Sequence, residues 1–204
     1  MPFQTFFNLQ KDKQNKIITA SKEEFSKYSF YDASINRIIK EACISRGSFY
    51  QYFENKEDLF IYILDEFKYR MLESLAKNIK GKKYDIFEFL TLVYDFITED
   101  TANSEDRDFI ITTVSNMDIK LLNHLFAFLK PDNFLKYKDY FIKLVDVSSL
   151  KVKDFDELIS LNSMLMNIMM NQISIFFSNM CHKEKCREDL IRKFKFIKYG
   201  VVEK

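Results

Sequence analysis

Residues 34–59 read SINRIIKEACISRGSFYQYFENKEDL, and this stretch says more about the fold than any other part of the chain. Ser34 and Ser45 each stand where a side-chain oxygen can cap the first turn of a helix. They predict two short helices, 35–42 and 46–52, with a connection of only three residues between them. Two short helices joined so tightly are a candidate helix-turn-helix.

The segments on either side of this stretch also follow a helical pattern. Residues 11–28 carry Ile17 and Phe25 on one apolar face, with Lys and Glu on the remaining faces. On the other side, Asn55 can cap a fourth helix that runs from 56 to about 79, where Gly and Lys residues interrupt the pattern. The fourth helix therefore connects a small N-terminal domain to the rest of the chain.

The whole chain is predicted to be all-α. Three Gly and two Pro in 204 residues leave few positions for the turns that hairpins and βα units need. Beyond the fourth helix, aromatic-rich helical patterns recur at 84–99, 105–115, 118–130, 133–145, 155–180 and 184–199. We expect a DNA-binding domain at 1–55 and a larger helical domain at 56–204.

Composition excludes several classes of protein. With 47% hydrophobic and 30% charged residues, the sequence is typical of a globular chain rather than a fibrous or disordered one. The N-terminus lacks the features of a signal peptide, and Asn167 and Asn171 interrupt the most apolar stretch, so we expect a cytoplasmic protein. Three widely spaced Cys in such a chain predict reduced thiols rather than a disulfide framework. The net charge of +1 means that any DNA contact must be local.

The helix-turn-helix segment resembles the TetR family of transcription regulators. Matching residues stand in register at Phe25, Ser34-Ile35, Ile38, Ala42, Ile44-Ser45, Gly47-Ser48-Phe49-Tyr50, Tyr52-Phe53 and Lys56-Glu57-Asp58-Leu59. The chain departs from the family at Ser29 and Cys43, where Gly is usual, and at Ile39, where Ala is usual. If the turn is left-handed at Cys43, the backbone there is strained by about 1 kcal/mol.

The resemblance implies that the second short helix enters the major groove of DNA. Ile38, Phe49 and Phe53 are expected to form an apolar wedge that fixes the angle of this helix. Arg46 and Gln51 have side chains that can read guanine and adenine, respectively. The full set of residues expected at the DNA is Ser34, Ser45, Arg46, Gly47, Ser48, Tyr50, Gln51, Tyr52 and Lys56. Within it, Tyr50 and Lys56 are expected to contact phosphate.

The same resemblance implies a homodimer built from the last two helices, with an apolar stripe formed by Leu190, Ile191, Phe194 and Ile197. It also implies repression of transcription, with release of the DNA operator when a small hydrophobic effector binds the C-terminal domain. The fourth helix is then the expected link between effector and DNA. An alternative is a structural protein of the same fold that organises chromosomal DNA.

Enzymatic and metal-binding functions have little support in the sequence. The chain has no phosphate-binding Gly loop, no dinucleotide fingerprint and no nucleophile elbow, so neither an enzyme nor a cofactor is expected. With only His124 and His182, paired helical His motifs are excluded. Cys181, His182 and Cys186 offer three soft metal ligands without an evident fourth. Cys43 is expected to be an inert, packed thiol, although a redox role in the turn stays open.

Overall fold

The computed structural model describes residues 1–78, 83–99, 104–116 and 143–201. The helix predicted at 118–130 lies outside these residues, and so does almost all of the helix predicted at 133–145. In the N-terminal part, the observed helices are α1 (Gln4–Phe7), α2 (Lys11–Lys27), α3 (Ile35–Glu41), α4 (Arg46–Tyr52) and α5 (Lys56–Asn78). The four helices predicted in this part of the chain are confirmed to within a residue or two, and α1 is an addition.

Later in the chain come β1 (Tyr84–Asp85), α6 (Ile86–Glu99), α7 (Arg107–Ser115), β2 (Val145–Asp146), α8 (Phe155–Phe177) and α9 (Lys183–Tyr199). The two strands are two residues long and pair in parallel, with Tyr84 opposite Val145 and Asp85 opposite Asp146. The helix predicted at 84–99 therefore starts two residues late, and Val145 belongs to a strand rather than to a helix. Within the described residues, none of the helices is long and apolar enough to cross a membrane.

One compact unit comprises residues 1–70 together with 105–117. Phe109 of α7 is fully buried here and contacts the rings of Phe25 and Phe60 at 6.5 and 5.7 Å. The hydroxyl of Thr112 donates to the carbonyl oxygen of Ser26 on α2 at 2.7 Å. The N-terminal unit thus extends beyond residue 55, because α7 and the first part of α5 complete its core.

Asp106 adds a buried ion-pair cluster to the same unit. Its carboxylate is only 5% exposed in the folded chain and pairs with Lys22 of α2 at 2.6 Å and with Arg70 of α5 at 2.7 Å. A buried carboxylate is tolerated when cations and hydrogen-bond donors surround it. The cluster therefore ties the start of α7 to two helices of the N-terminal unit.

The second unit comprises residues 71–104 and 118–204, of which the described part contains α6, α8 and α9. Leu165, Ile173 and Leu190 are fully buried in its core. Two ion pairs join α6 to α9, formed by Glu99 with Lys183 and by Asp95 with Arg187, and a third joins Asp85 of β1 to Lys198 of α9. Their order along the two helices shows that α6 and α9 run antiparallel.

Candidate DNA-binding site

The two short helices α3 and α4 are held by a buried apolar wedge, as the sequence predicts. Ile38, Phe49 and Phe53 are each completely buried. The rings of Phe49 and Phe53 lie 5.6 Å apart, and Phe6 of α1 packs against Phe53 at 4.9 Å. The wedge leaves the opposite face of α4 exposed.

A salt bridge that the sequence analysis missed fixes the start of α3. Glu24 of α2 is buried, and its carboxylate accepts hydrogen bonds from the backbone N–H of Ser34 at 2.7 Å and from Nε of Arg37 at 2.9 Å. The hydrogen bond to Glu24 raises the pKa of the Arg37 guanidinium, which also lies over the ring of Tyr28 at 4.1 Å. Ser34 is the N-cap of α3, but its side chain makes no capping bond. Glu24 supplies the acceptor for the Ser34 backbone instead.

The turn between α3 and α4 has the strained geometry that the sequence suggests. Cys43 has a φ of +53°, in the left-handed region where Gly is usual. Its thiol is exposed, so the expectation of a packed thiol is wrong. Ser45 confirms its predicted capping role by accepting a hydrogen bond from the backbone N–H of Ser48 at 3.0 Å. Among the described residues, a Cβ at Gly47 would meet nothing closer than the Ser45 hydroxyl at 3.8 Å, so their packing does not explain this Gly.

Arg46 is oriented by its neighbours on the exposed face of α4. Its Nη1 donates to Oδ1 of Asn36 on α3 at 2.8 Å, and Nη2 lies 3.4 Å from the hydroxyl of Tyr50. The Tyr50 ring is 43% exposed, and Gln51 is exposed beside it. Polar groups able to read bases and bind phosphate therefore occupy one surface. Asn36 lies on the same surface as the predicted DNA-binding residues.

Lys56 combines a structural role with a position near this surface. Its ammonium donates to the carbonyl oxygens of Tyr31 at 3.1 Å and Ala33 at 2.7 Å, which fixes the loop before α3. Burial lowers the pKa of this ammonium. A concave site of about 300 Å³ is lined by Ala33, Ser34, Ile35, Asn36, Arg46 and Lys56. It brings three of the predicted DNA-binding residues together.

Tyr52 differs from the other predicted residues because it is only 6% exposed. Its carbonyl oxygen accepts from the backbone N–H of Phe3 at 2.9 Å, and the Thr5 hydroxyl donates to the carbonyl oxygen of Gln51. Helix α1 thus packs against the end of α4. Its four residues are too few to show a periodic signal in the sequence.

The apolar stripe predicted on α9 divides into two parts. Leu190 and Phe194 are 0% and 3% exposed in the single chain, and Phe194 contacts the ring of Phe87 on α6 at 5.8 Å. Ile191 and Ile197 are partly exposed. Among the exposed large hydrophobic side chains on the last two helices are instead Met164 and Phe196, at 45% and 52%, and Tyr199 at the end of α9, at 73%.

The remaining thiols lie in the second unit. Cys186 is fully buried, and burial together with a hydrogen bond to Cys181 raises the pKa of its thiol to about 12. His182 is exposed and forms the N-cap of α9. In the part of the chain that the structure describes, no three His, Cys, Asp or Glu residues are grouped so that they could hold a metal ion.

A buried wedge that presents a short polar helix, oriented by a capped turn, defines a helix-turn-helix DNA-binding protein. The family model for bacterial regulatory proteins of the tetR family matches residues 17–63, and the model for the tetracyclin repressor-like C-terminal domain matches residues 85–201. The second match covers more than half of the chain. The chain belongs to the TetR family of DNA-binding transcription regulators, which are not enzymes.

Two curated relatives from Bacillus subtilis (strain 168) are each 30% identical to parts of the chain. The uncharacterized HTH-type transcriptional regulator YdgC matches over 96 residues, which is 44% of this chain and 49% of YdgC. The fatty acid metabolism regulator protein matches over 73 residues, which is 36% of this chain and 38% of the relative. The chain thus spans half or less of the length of these relatives.

Solved structures share the fold over most of the chain. FadR from Bacillus subtilis in complex with stearoyl-CoA has a TM-score of 0.59 at 18% identity, covering 92% of this chain and 99% of FadR. A putative TetR-family regulator from Syntrophomonas wolfei has a TM-score of 0.59 at 18% identity, covering 94% of this chain and 97% of its own. At 18% sequence identity, these similarities show a shared fold.

Proposed function

We propose that the chain is a ligand-responsive repressor that binds a pseudo-palindromic operator as a homodimer. The observation that carries this proposal is the exposed face of α4, where Arg46 is already oriented by Asn36 and Tyr50. A side chain held in place before binding loses less conformational entropy when it meets a base. In this proposal residues 1–55, together with Lys56 at the start of α5, contact DNA, and the rest of residues 56–204 bind the effector and form the dimer.

The proposed contacts divide into base readers and phosphate binders. Ser45, Arg46, Ser48 and Gln51 face the bases, and Gly47 lets the backbone of α4 approach the DNA closely. The room at Gly47 supports this role, because nothing within the described chain requires a residue without a side chain there. Ser34, Tyr50 and Lys56 bind phosphate beside the concave site. Tyr52 acts from inside the domain by supporting α4.

The proposed dimer uses the outer surfaces of α8 and α9. The exposed Met164 and Phe196, with the partly exposed Ile168 and Ile197, are the apolar side chains that a second copy would bury. A two-fold axis would bring the same patch together from both subunits. Because Leu190 and Phe194 are buried within the single chain, they support this surface from below.

The proposed effector is a hydrophobic molecule of the fatty acyl type. Support comes from the second unit, where α8 places Met166, Met169 and Met170 in a buried core, since Met side chains adapt to irregular apolar ligands. The relative FadR, whose structure contains stearoyl-CoA, adds support through its fold. Helix α5 is continuous from Lys56 to Asn78 and is the proposed link between effector and DNA.

Reciprocal titration tests this function. Stearoyl-CoA is titrated into the free protein and into its operator complex. If effector and operator oppose each other, stearoyl-CoA binds more weakly to the complex, by the same factor by which it weakens operator binding. Equal affinities in the two titrations would contradict regulation by this ligand.

A further inference from the structure

The connection between α8 and α9 has a well-defined backbone. Asn179 has a φ of +54°, and its N–H donates to the carbonyl oxygen of Phe176 at 3.0 Å. The N–H of Met180 donates to the carbonyl oxygen of Ile175 at 3.2 Å. These two hydrogen bonds form a Schellman motif, which fixes the direction of the chain as it leaves α8. The position of Cys181, the next residue, is therefore set by the end of α8.

The first turn of α9 brings a second thiol to Cys181. His182 is the N-cap of α9, and the N–H of Cys186 donates to the carbonyl oxygen of His182 at 3.0 Å. Cys181 thus stands just before the N-cap, and Cys186 is the fourth residue of the helix. Side chains at these two positions commonly pack against each other. Here the two thiols are hydrogen-bonded, so their sulfur atoms are neighbours within one chain.

Tyr94 of α6 lies beside this pair of thiols. Its ring is fully buried, and its hydroxyl donates to the carbonyl oxygen of Lys183, between the two Cys in the sequence, at 3.4 Å. Burial, with the Cys186 thiol close by, raises the pKa of the Tyr94 phenol, which therefore stays protonated at neutral pH. Tyr94 fixes the backbone between the thiols and remains a neutral hydrogen-bond donor.

The two thiols differ in their access to solvent. Cys186 is 0% exposed, and burial together with the hydrogen bond to Cys181 raises its pKa to about 12. Cys181 is partly exposed. Because the thiolate is the form that reacts with oxidants, Cys186 alone is inert at neutral pH. A soluble oxidant therefore meets Cys181 first, with Cys186 in contact behind it.

We propose that Cys181 and Cys186 form a reversible disulfide when hydrogen peroxide reaches the junction of α8 and α9. The Cys181 thiolate attacks one peroxide oxygen, the O–O bond breaks, and the leaving hydroxide takes up a proton to become water. The sulfur of Cys186 then attacks the sulfenic acid at Cys181. The S–S bond forms, the S–O bond breaks, and the proton of the Cys186 thiol leaves with hydroxide as a second water.

The overall reaction oxidises two thiols by two electrons and reduces one peroxide to two waters. Contact between the sulfur atoms makes the second step intramolecular, so it competes well with further oxidation of Cys181. A disulfide in a chain without a disulfide framework is typical of redox sensing rather than of structural support. This modification does not depend on whether the chain represses transcription.

Peptide mapping of the full wild-type chain tests the proposal. The reduced protein is treated with hydrogen peroxide, its remaining thiols are alkylated, and it is digested with trypsin. Trypsin cleaves after Lys183 and Lys185, so Cys181 and Cys186 end on separate peptides that only a disulfide keeps together. We expect this linked pair, and we expect dithiothreitol to separate it. A sulfinic acid at Cys181 beside a reduced Cys186, a disulfide through Cys43, or three unchanged thiols would overturn the proposal.

Two variants locate the reaction. Cys43→Ser removes the exposed thiol of the turn between α3 and α4, and it should form the disulfide at the wild-type rate. Adding Cys181→Ser leaves Cys186 as the remaining thiol, which should react with peroxide at least about tenfold more slowly, because a buried thiol of high pKa is rarely ionised. Thermal melting checks that both variants are folded. If Cys186 reacts as fast without Cys181 as with it, the proposal is wrong.

Discussion

Arg46 is held by Asn36 and Tyr50 in a position from which it can reach a base edge. We expect Arg46→Ala to cost about 1–3 kcal/mol on the preferred operator while barely changing affinity for random DNA, as for a lost base contact. Fluorescence anisotropy with both DNAs measures the difference. Arg107→Ala removes another exposed Arg, outside the helix-turn-helix, and should change neither affinity. Equal weakening on both DNAs would make Arg46 a phosphate contact.

Glu24 shows how one buried carboxylate can set the start of a helix. Glu24→Ala leaves the N–H of Ser34 without its partner, which should lower the free energy of unfolding by about 1–3 kcal/mol. Arg37→Ala should also destabilise the fold, because it leaves the buried Glu24 carboxylate without its cation. Glu23→Ala is the matched control, since this neighbouring Glu is exposed and 3.9 Å from Lys27. If chemical denaturation gives Glu23→Ala and Glu24→Ala the same free energy of unfolding, Glu24 does not fix the start of α3.

At the level of elements, α1 is the support that the sequence did not reveal. Phe6 is fully buried against Phe53, so Phe6→Ala should cost about 3–5 kcal/mol of stability and weaken binding to all DNA by loosening the end of α4. Phe3→Ala changes a residue that is 46% exposed, and we expect little effect on melting or binding. Similar melting temperatures for the two variants would show that α1 does not support α4.

The elements that could be predicted are those whose signals are local. Helices α2 to α5 combine an apolar periodicity with capping residues, and the caps at Ser45 and Asn55 form as expected, with Asn55 Oδ1 accepting from the N–H of Asp58 at 2.9 Å. Strands β1 and β2 have two residues each and lie about sixty residues apart in the sequence. Two residues are too few to show the alternation that predicts a strand. The pairing of Glu24 with Arg37 likewise has no local signal.

Periodicity also fails to say what an apolar stripe faces. Leu190 and Phe194 lie on one face of α9. The sequence of this face has the same apolar pattern whether it packs against a partner subunit or against the chain's own α6. Only the packing of Phe194 on Phe87 distinguishes the two. A family motif fixes the register of the predicted DNA-binding residues, and their contacts with DNA stay a prediction. Tyr52 is buried because it follows the core residue Phe49 by three positions.

For the whole molecule, the dimer proposal leads to opposite outcomes at two Phe residues on α9. Phe196→Glu places a charge on the proposed outer surface and should give a folded monomer, because burying an unpaired charge is costly. Phe194→Glu places the charge inside the single chain and should prevent stable folding. Sedimentation velocity and circular dichroism separate these results.

Tyr31→Glu is the control for this pair, since Tyr31 is 61% exposed in the N-terminal unit and should leave the dimer intact. A wild-type chain that sediments as a monomer at micromolar concentration would contradict the dimer. So would a Phe196→Glu variant that dimerises as the wild type does.

A genome-wide map of the sites that this chain binds in living cells decides whether it is a sequence-specific regulator. We expect one or a few promoter sites that contain a pseudo-palindrome, with half-sites about 34–36 Å apart or at a multiple of that distance. These sites should disappear from the map of Arg46→Ala. Many dispersed sites without a shared palindrome would contradict the account and would indicate a protein that organises chromosomal DNA.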